Sequence, residues 1–351
     1  MKVQRHQYID VIRVMGMFFV VLLHTSAEKL RMYIGSPGWH IVNMTTSLAA
    51  TAVPLFFMAS GAVILSAKET EDYSYVLKRR IPRLFWPLLA WSAVSVTMEY
   101  AVGTLTGADI TAAGMIDKMT RFFVSPVRIH FWFMYTLIPL SLVSPMLKSV
   151  VQNRRNLKYA AVLFGVIALL GSLMPILPAQ FSFIPDITFI RGAGFGMFVY
   201  YLLLGYLLHT MSRRVDTRVL AVVAVAAWVV ICTGTYWKSR GGVYSEIFIS
   251  YTGVYNLVLS AALFLLFKNL VTKPSRIVQA LAPLSFGVYL VHAILIAVWL
   301  RLLPVLGLSI TWQYVIGSFC VTSILSCAIT WVLSKFRVTA YVFCGIRKRK
   351  A

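Results

Sequence analysis

The chain has 351 residues, 59% of them hydrophobic and only 13% charged, and its mean hydropathy is +0.79. That balance excludes an ordinary soluble globular domain and points to an all-α, polytopic membrane helix bundle. The net charge of +22, from 33 Lys and Arg against 11 Asp and Glu, would suggest a nucleic-acid partner in a soluble chain; here it suits cytoplasmic loops facing anionic lipid, with no nucleic acid implied.

Apolar runs of about 20 residues, read as spanning helices, give ten transmembrane helices in a single domain covering residues 1–351. The first, Tyr8 to Ala27, carries Asp10, Arg13 and His24. Ionisable groups at bilayer depth cost several kcal/mol unless paired or facing a wet cavity, so they raise a functional hypothesis. The second span is Thr46 to Ser66, and the third, Leu84 to Val102, follows the basic stretch "YVLKRRIPRLFWP". The fourth, His130 to Leu147, opens on the polar intrusions His130 and Trp132. Tyr159 to Leu177, Ala193 to Thr210 and Val219 to Tyr236 come next. The eighth, Ile247 to Phe267, holds Asn256; the ninth, Ile277 to Leu300, holds "LSFGVYLVH"; Gln313 to Ser334 closes the series.

With the N-terminus inside, the inner segments carry 23 Lys and Arg and the outer ones 9, which predicts both termini in the cytoplasm. The first helix imitates the apolar core and small-residue site of a signal peptide, but its removal would spoil this charge pattern, so it is expected to be retained. The longest outer stretches are Glu28 to Thr45 and Gly103 to Ile129. Cys232, Cys320, Cys327 and Cys344 form no CxxC pair and read as packing residues. No internal repeat of the transporter kind is visible.

Arg13 and His24 are eleven residues apart, which returns to within about 20° of the same helix face, roughly 16 Å further along the axis. Asp10 at i−3 can pair with Arg13, and Glu28 at i+4 can orient His24. The plainer reading makes Asp10, Arg13 and Glu28 interfacial and snorkelling, with His24 a satisfied interior histidine. In the basic stretch, Arg80 and Arg83 lie at i,i+3 and can converge on one anion, with Lys78 and Arg79 beside them. The plainer reading there is a positive-inside anchor. Tyr289 and His292, at i,i+3 in the ninth span, are candidate cavity-lining groups or helix-helix hydrogen-bonding residues. No metal-ligand spacing, nucleotide loop or Ser-His-Asp arrangement appears.

"YIDVIRVMGMFFVVLLH" resembles the first helix of the acyltransferase-3 family of integral membrane O-acyltransferases, in which an arginine precedes a histidine by eleven positions. "VPLFFMASGAVIL" is similar to that family's second helix, although Ala62 follows Gly61 where the family usually has an aromatic. "LKRRIPRLFWP" resembles the family's Arg-rich approach to the third helix, with Arg80 and Arg83 in its R-x-x-R positions. "FWFMYTLIPLSLVSPML", "YYLLLGYLL" and "LSFGVYLVH" are similar to later segments. With "SPGWHIVN" before the second helix, the chain looks most like the branch containing the enterobacterial common antigen O-acetyltransferase.

The resemblance implies an O-acyltransferase of the bacterial inner membrane that moves an acyl group, acetyl in the first instance, from cytoplasmic acyl-CoA to a hydroxyl of a cell-surface or lipid-linked glycan. It implies no metal. Arg79, Arg80 and Arg83, with Arg13 deeper, would hold the phosphate-rich donor, and His24 would handle the proton, directly or through an acyl-histidine. His292, Tyr289, Trp132 and Glu28 would meet the acceptor. A homo-oligomer is compatible with the sequence. The alternative is a transporter or flippase of a lipid-linked glycan, in which Arg13, His24 and His292 line a path and perform no chemistry.

Overall fold

The computed structural model describes residues 6–106, 111–173, 194–305, 307 and 309–348. Residues 174–177 of the fifth predicted span and Ala193 of the sixth lie outside these, as do Lys2, Arg5, Arg191, Arg349 and Lys350 of the charge count. Among the described residues every regular element is helical.

Helix α1 (Gln7–Leu30) is the hub, packed against α2 (Pro37–Ala49), α3 (Ala52–Ile64), α11 (Val254–Leu270), α13 (Ser285–Val305) and α14 (Trp312–Leu333). Its end is closed by Trp39, whose indole N–H donates to the Leu30 carbonyl at 3.0 Å. Within the predicted outer stretch Glu28 to Thr45 the chain already starts α2, because Ser36 caps the helix by accepting from the Trp39 N–H at 3.2 Å and Pro37 has its φ preset for a first turn. A short break at Ala50–Thr51 then separates α2 from α3.

The strongest inter-helix packing joins α3 to α9 (Gly194–Thr210). In lipid, apolar burial drives little association, so close van der Waals approach at small residues does most of the work. Here the approach is reciprocal: a Cβ on Gly61 would overlap the Leu202 carbonyl, and one on Gly205 would overlap the Met58 carbonyl. Both glycines belong to stretches that resemble family segments.

From α3 the chain passes through a short turn at Lys68–Glu71 and a π-helical turn at Val76–Arg80 into α4 (Ile81–Thr106). The predicted outer loop after it contains α5 (Ala112–Thr120), which Thr111 caps. The fourth predicted span is bent by 59° between α6 (Trp132–Leu142) and α7 (Ser144–Gln152), next to Pro139 and Pro145. Then come α8 (Arg154–Leu173), α10 (Thr217–Ser239), α12 (Arg276–Leu281) and the C-terminal α15 (Arg337–Cys344).

Among the described residues five helical segments are long and apolar enough to cross a membrane, with α2 and α3 together (Pro37–Ile64) counted as one, or six if the bent pair counts as one span. They correspond to the predicted first, second, seventh, ninth and tenth spans, with the bent pair as the fourth. The sixth and eighth are shorter apolar helices, Gly196–Thr210 and Val254–Leu270. Along α10, Val219, Val222, Val225 and Val229 are exposed, a continuous apolar surface of the kind lipid covers.

Candidate active site

Three histidines from three distant parts of the chain meet beside one cavity. His24 lies near the C-terminal end of α1, His130 in the 3₁₀ turn Ile129–Phe131 before α6, and His292 in α13. Ring centroids are 5.2 Å apart for His24 and His292, 5.2 Å for His130 and His292, and 6.2 Å for His24 and His130.

Local bonds fix two of the rings. His292 lies i+3 from Tyr289, and its Nδ1 donates to the Tyr289 carbonyl at 2.6 Å. A carbonyl only accepts, so that nitrogen holds a proton and Nε2 is the ring atom left to meet a ligand. The Tyr289 hydroxyl donates to the His130 carbonyl at 2.5 Å, and the His130 ring is tied to the Leu290 backbone, so one turn of α13 holds both histidines. Arg128 anchors the 3₁₀ turn from the other side through Glu99, at 3.4 Å, and the Ser95 carbonyl, at 3.3 Å, both on α4. His130 and His292 are buried, and neither Nε2 atom has a hydrogen-bond partner among the described residues. Unpartnered polar nitrogens in such a place are costly unless something visits them.

The cavity holds about 1080 Å³ and is lined by His24, His130, Trp132 and Glu28 among others. His24 is partly exposed where His130 and His292 are not, which makes it the member of the cluster most open to a ligand. Trp132 stacks on Tyr251, centroids 5.8 Å apart and planes at 22°, and gives the cavity an aromatic wall. Glu28 sits on the rim and is exposed; it makes no bond to His24 among the described residues. No group of three or more His, Cys, Asp or Glu with metal-binding geometry occurs among the described residues.

The predicted donor residues lie away from this cavity. Arg13 is exposed on α1. Arg80 is half-buried and donates to Thr70 Oγ1 at 2.8 Å and to Ser144 Oγ at 3.0 Å, with Tyr75 under its guanidinium. Arg83 is exposed but close enough for its charge to be felt at Arg80. Arg79 lines a second cavity together with Lys78 and cations from the C-terminal segment.

His130 is the residue that sequence reading did not assign to the site. Its one signal was a polar ring opening an aromatic run, and only the fold brings it against α13.

An all-helical bundle with lipid-ready faces and a histidine cluster at the foot of a large cavity defines a multi-pass membrane protein with a buried polar site. Residues 6–332 match the acyltransferase-3 family of acyltransferase domains, and the chain belongs to that family. It is a membrane acyltransferase. Neither a curated protein nor a solved structure matches the chain.

Proposed function

We propose that this acyltransferase moves an acyl group, acetyl in the first instance, from acyl-CoA to a hydroxyl of a cell-surface or lipid-linked glycan. The observation that carries the reading is the position of His24, at the junction between the large cavity and the buried pair His130 and His292. His24 takes the proton of an acceptor hydroxyl as its oxygen attacks the thioester carbonyl. The C–S bond breaks, the ester forms, and the proton goes to the departing CoA thiolate. A route through an acyl-histidine uses the same residue.

The stacked Trp132 and Tyr251 suit an apolar sugar face, and Glu28 and Arg31 on the same rim suit its hydroxyls. Donor phosphates belong with Arg79 and Arg83 and, deeper, Arg13. The basic-residue asymmetry supports ten spans with both termini in the cytoplasm, and a bacterial inner membrane follows the family resemblance. The acceptor class follows the resemblance to the branch that acetylates enterobacterial common antigen.

The test is free-thiol release by purified protein given acetyl-CoA, with and without a lipid-linked glycan. Release that needs the acceptor supports the reading. Glycan translocation with no CoA released replaces it with the transporter alternative.

A further inference from the structure

The C-terminal helix α15 lies beyond the residues that match the family. It is nevertheless clamped onto α4. The Trp91 indole N–H donates to the Phe343 carbonyl at 2.9 Å. Gly345, at φ +64°, ends α15 with N–H bonds from Gly345 to Tyr341 at 3.2 Å and from Ile346 to Ala340 at 2.8 Å. This is the αL close that glycine makes without strain. A Cβ at Gly345 would also come within 2.6 Å of the Arg83 carbonyl, so the turn is seated against the start of α4.

That turn sends the tail back beside the basic stretch. Lys78, Arg79, Arg337, Arg347 and Lys348 consequently line one cavity of about 520 Å³, with Tyr341 in its wall. No Asp or Glu lines it, and none of the five cations makes an ion pair among the described residues. Lys348 is held by a bond from its Nζ to the Lys335 carbonyl at 2.5 Å.

A topological anchor needs only cations that spread into headgroups, each on its own flexible stem. Gathering five around one concavity raises their mutual repulsion, and an anion inside relieves it. Three of the five are arginines, whose planar forks match phosphate oxygens. The volume falls in the range of ordinary ligand sites.

We propose that these five residues form a phosphate-binding site that the C-terminal helix completes. The phosphate belongs either to the nucleotide end of the acyl donor, which rests on the function proposed above, or to the headgroup of an anionic lipid.

The test uses full-length protein in nanodiscs, comparing wild type with the triple variant Arg337→Gln, Arg347→Gln, Lys348→Gln and with the charge-keeping pair Arg337→Lys, Arg347→Lys. In phosphatidylcholine discs, CoA and adenosine 3′,5′-bisphosphate are titrated. In discs containing phosphatidylglycerol, retained anionic lipid is counted by native mass spectrometry. Each lost contact is expected to weaken phosphate binding about 10-fold, so the triple variant falls by about 10³-fold and the Lys pair falls less. Weakened nucleotide binding with normal lipid retention assigns the phosphate to the donor. Lost lipid retention with normal nucleotide binding assigns it to the bilayer and keeps the site.

A wild type that binds no CoA, beside a variant that sheds lipid, removes the donor reading and leaves the site standing. A folded triple variant that holds both ligands like wild type overturns the site and leaves the donor reading untouched. If the triple variant does not fold, the Lys pair and the single Arg347→Gln variant are measured in its place, and unchanged nucleotide and lipid binding in both overturns the site equally.

Discussion

The Tyr289 hydroxyl donates to the His130 backbone carbonyl at 2.5 Å, while the Tyr289 carbonyl accepts from His292 Nδ1 at 2.6 Å. One residue therefore sets the position of one histidine and holds the Nδ1 proton of another. Tyr289→Phe should keep the ring packing and lose only the first bond, costing about 0.5–1.5 kcal/mol of stability. As a positioning change it should lower kcat several-fold with little effect on donor KM. A drop in kcat at nearly constant donor KM, beside a Tm lowered by only about a few degrees, is the result to look for; loss confined to Tm would make Tyr289 a packing residue.

Away from the histidine cavity, Arg80 and Arg83 should part company. Arg80 is committed to Thr70 and Ser144, so Arg80→Ala should cost about 1.5–3 kcal/mol for a lost charged hydrogen bond and appear chiefly as a lower Tm. Arg83 is exposed, so Arg83→Ala should leave Tm almost unchanged and raise donor KM about 10-fold if it meets phosphate. Thermal unfolding and donor KM measured on the same two variants separate the roles.

Gly205→Ala should be among the most damaging single-methyl changes in the chain, because its Cβ would collide with backbone at the α3–α9 crossing and no side chain there can swing aside. Overpacking of that kind costs about 1–3 kcal/mol or more. Yield of monodisperse protein and Tm should both fall. Gly241→Ala, where an added Cβ meets nothing within 4 Å, is the matched control and should behave as wild type.

Reporter fusions at the C-terminus and after Arg128 should report opposite compartments if the split of 23 to 9 basic residues sets the topology. The same compartment for both would remove the ten-span arrangement.

The parts legible in the sequence were those that a single helix carries. The spacing of Arg13 and His24 on α1, the pairing of Tyr289 with His292 one turn apart, and the apolar runs themselves follow from helical period and bilayer thickness. The parts that were not legible depend on chain crossings. His130 reaches His292 only because Arg128 is tied to α4 and Tyr289 to the following turn, contacts separated by up to 159 positions. Arg80 and Arg83, adjacent on a helical wheel, diverge because Thr70 and Ser144 claim the first of them. The start of α2 was missed for a different reason: Ser36 and Pro37 look like loop residues in composition, yet together they cap and initiate a helix.

The central claim is that His24 moves the proton in acyl transfer. The most direct measurement is single-turnover release of CoA from acetyl-CoA and glycan acceptor by wild type and His24→Ala in the same nanodiscs, with donor binding and Tm recorded alongside. Loss of general base catalysis should slow the chemical step by about 10² to 10⁴ while donor affinity and Tm stay near wild type, and His292→Ala should be milder. Release from the folded His24→Ala protein at the wild-type rate would contradict the account and leave His24 a packing residue of the bundle.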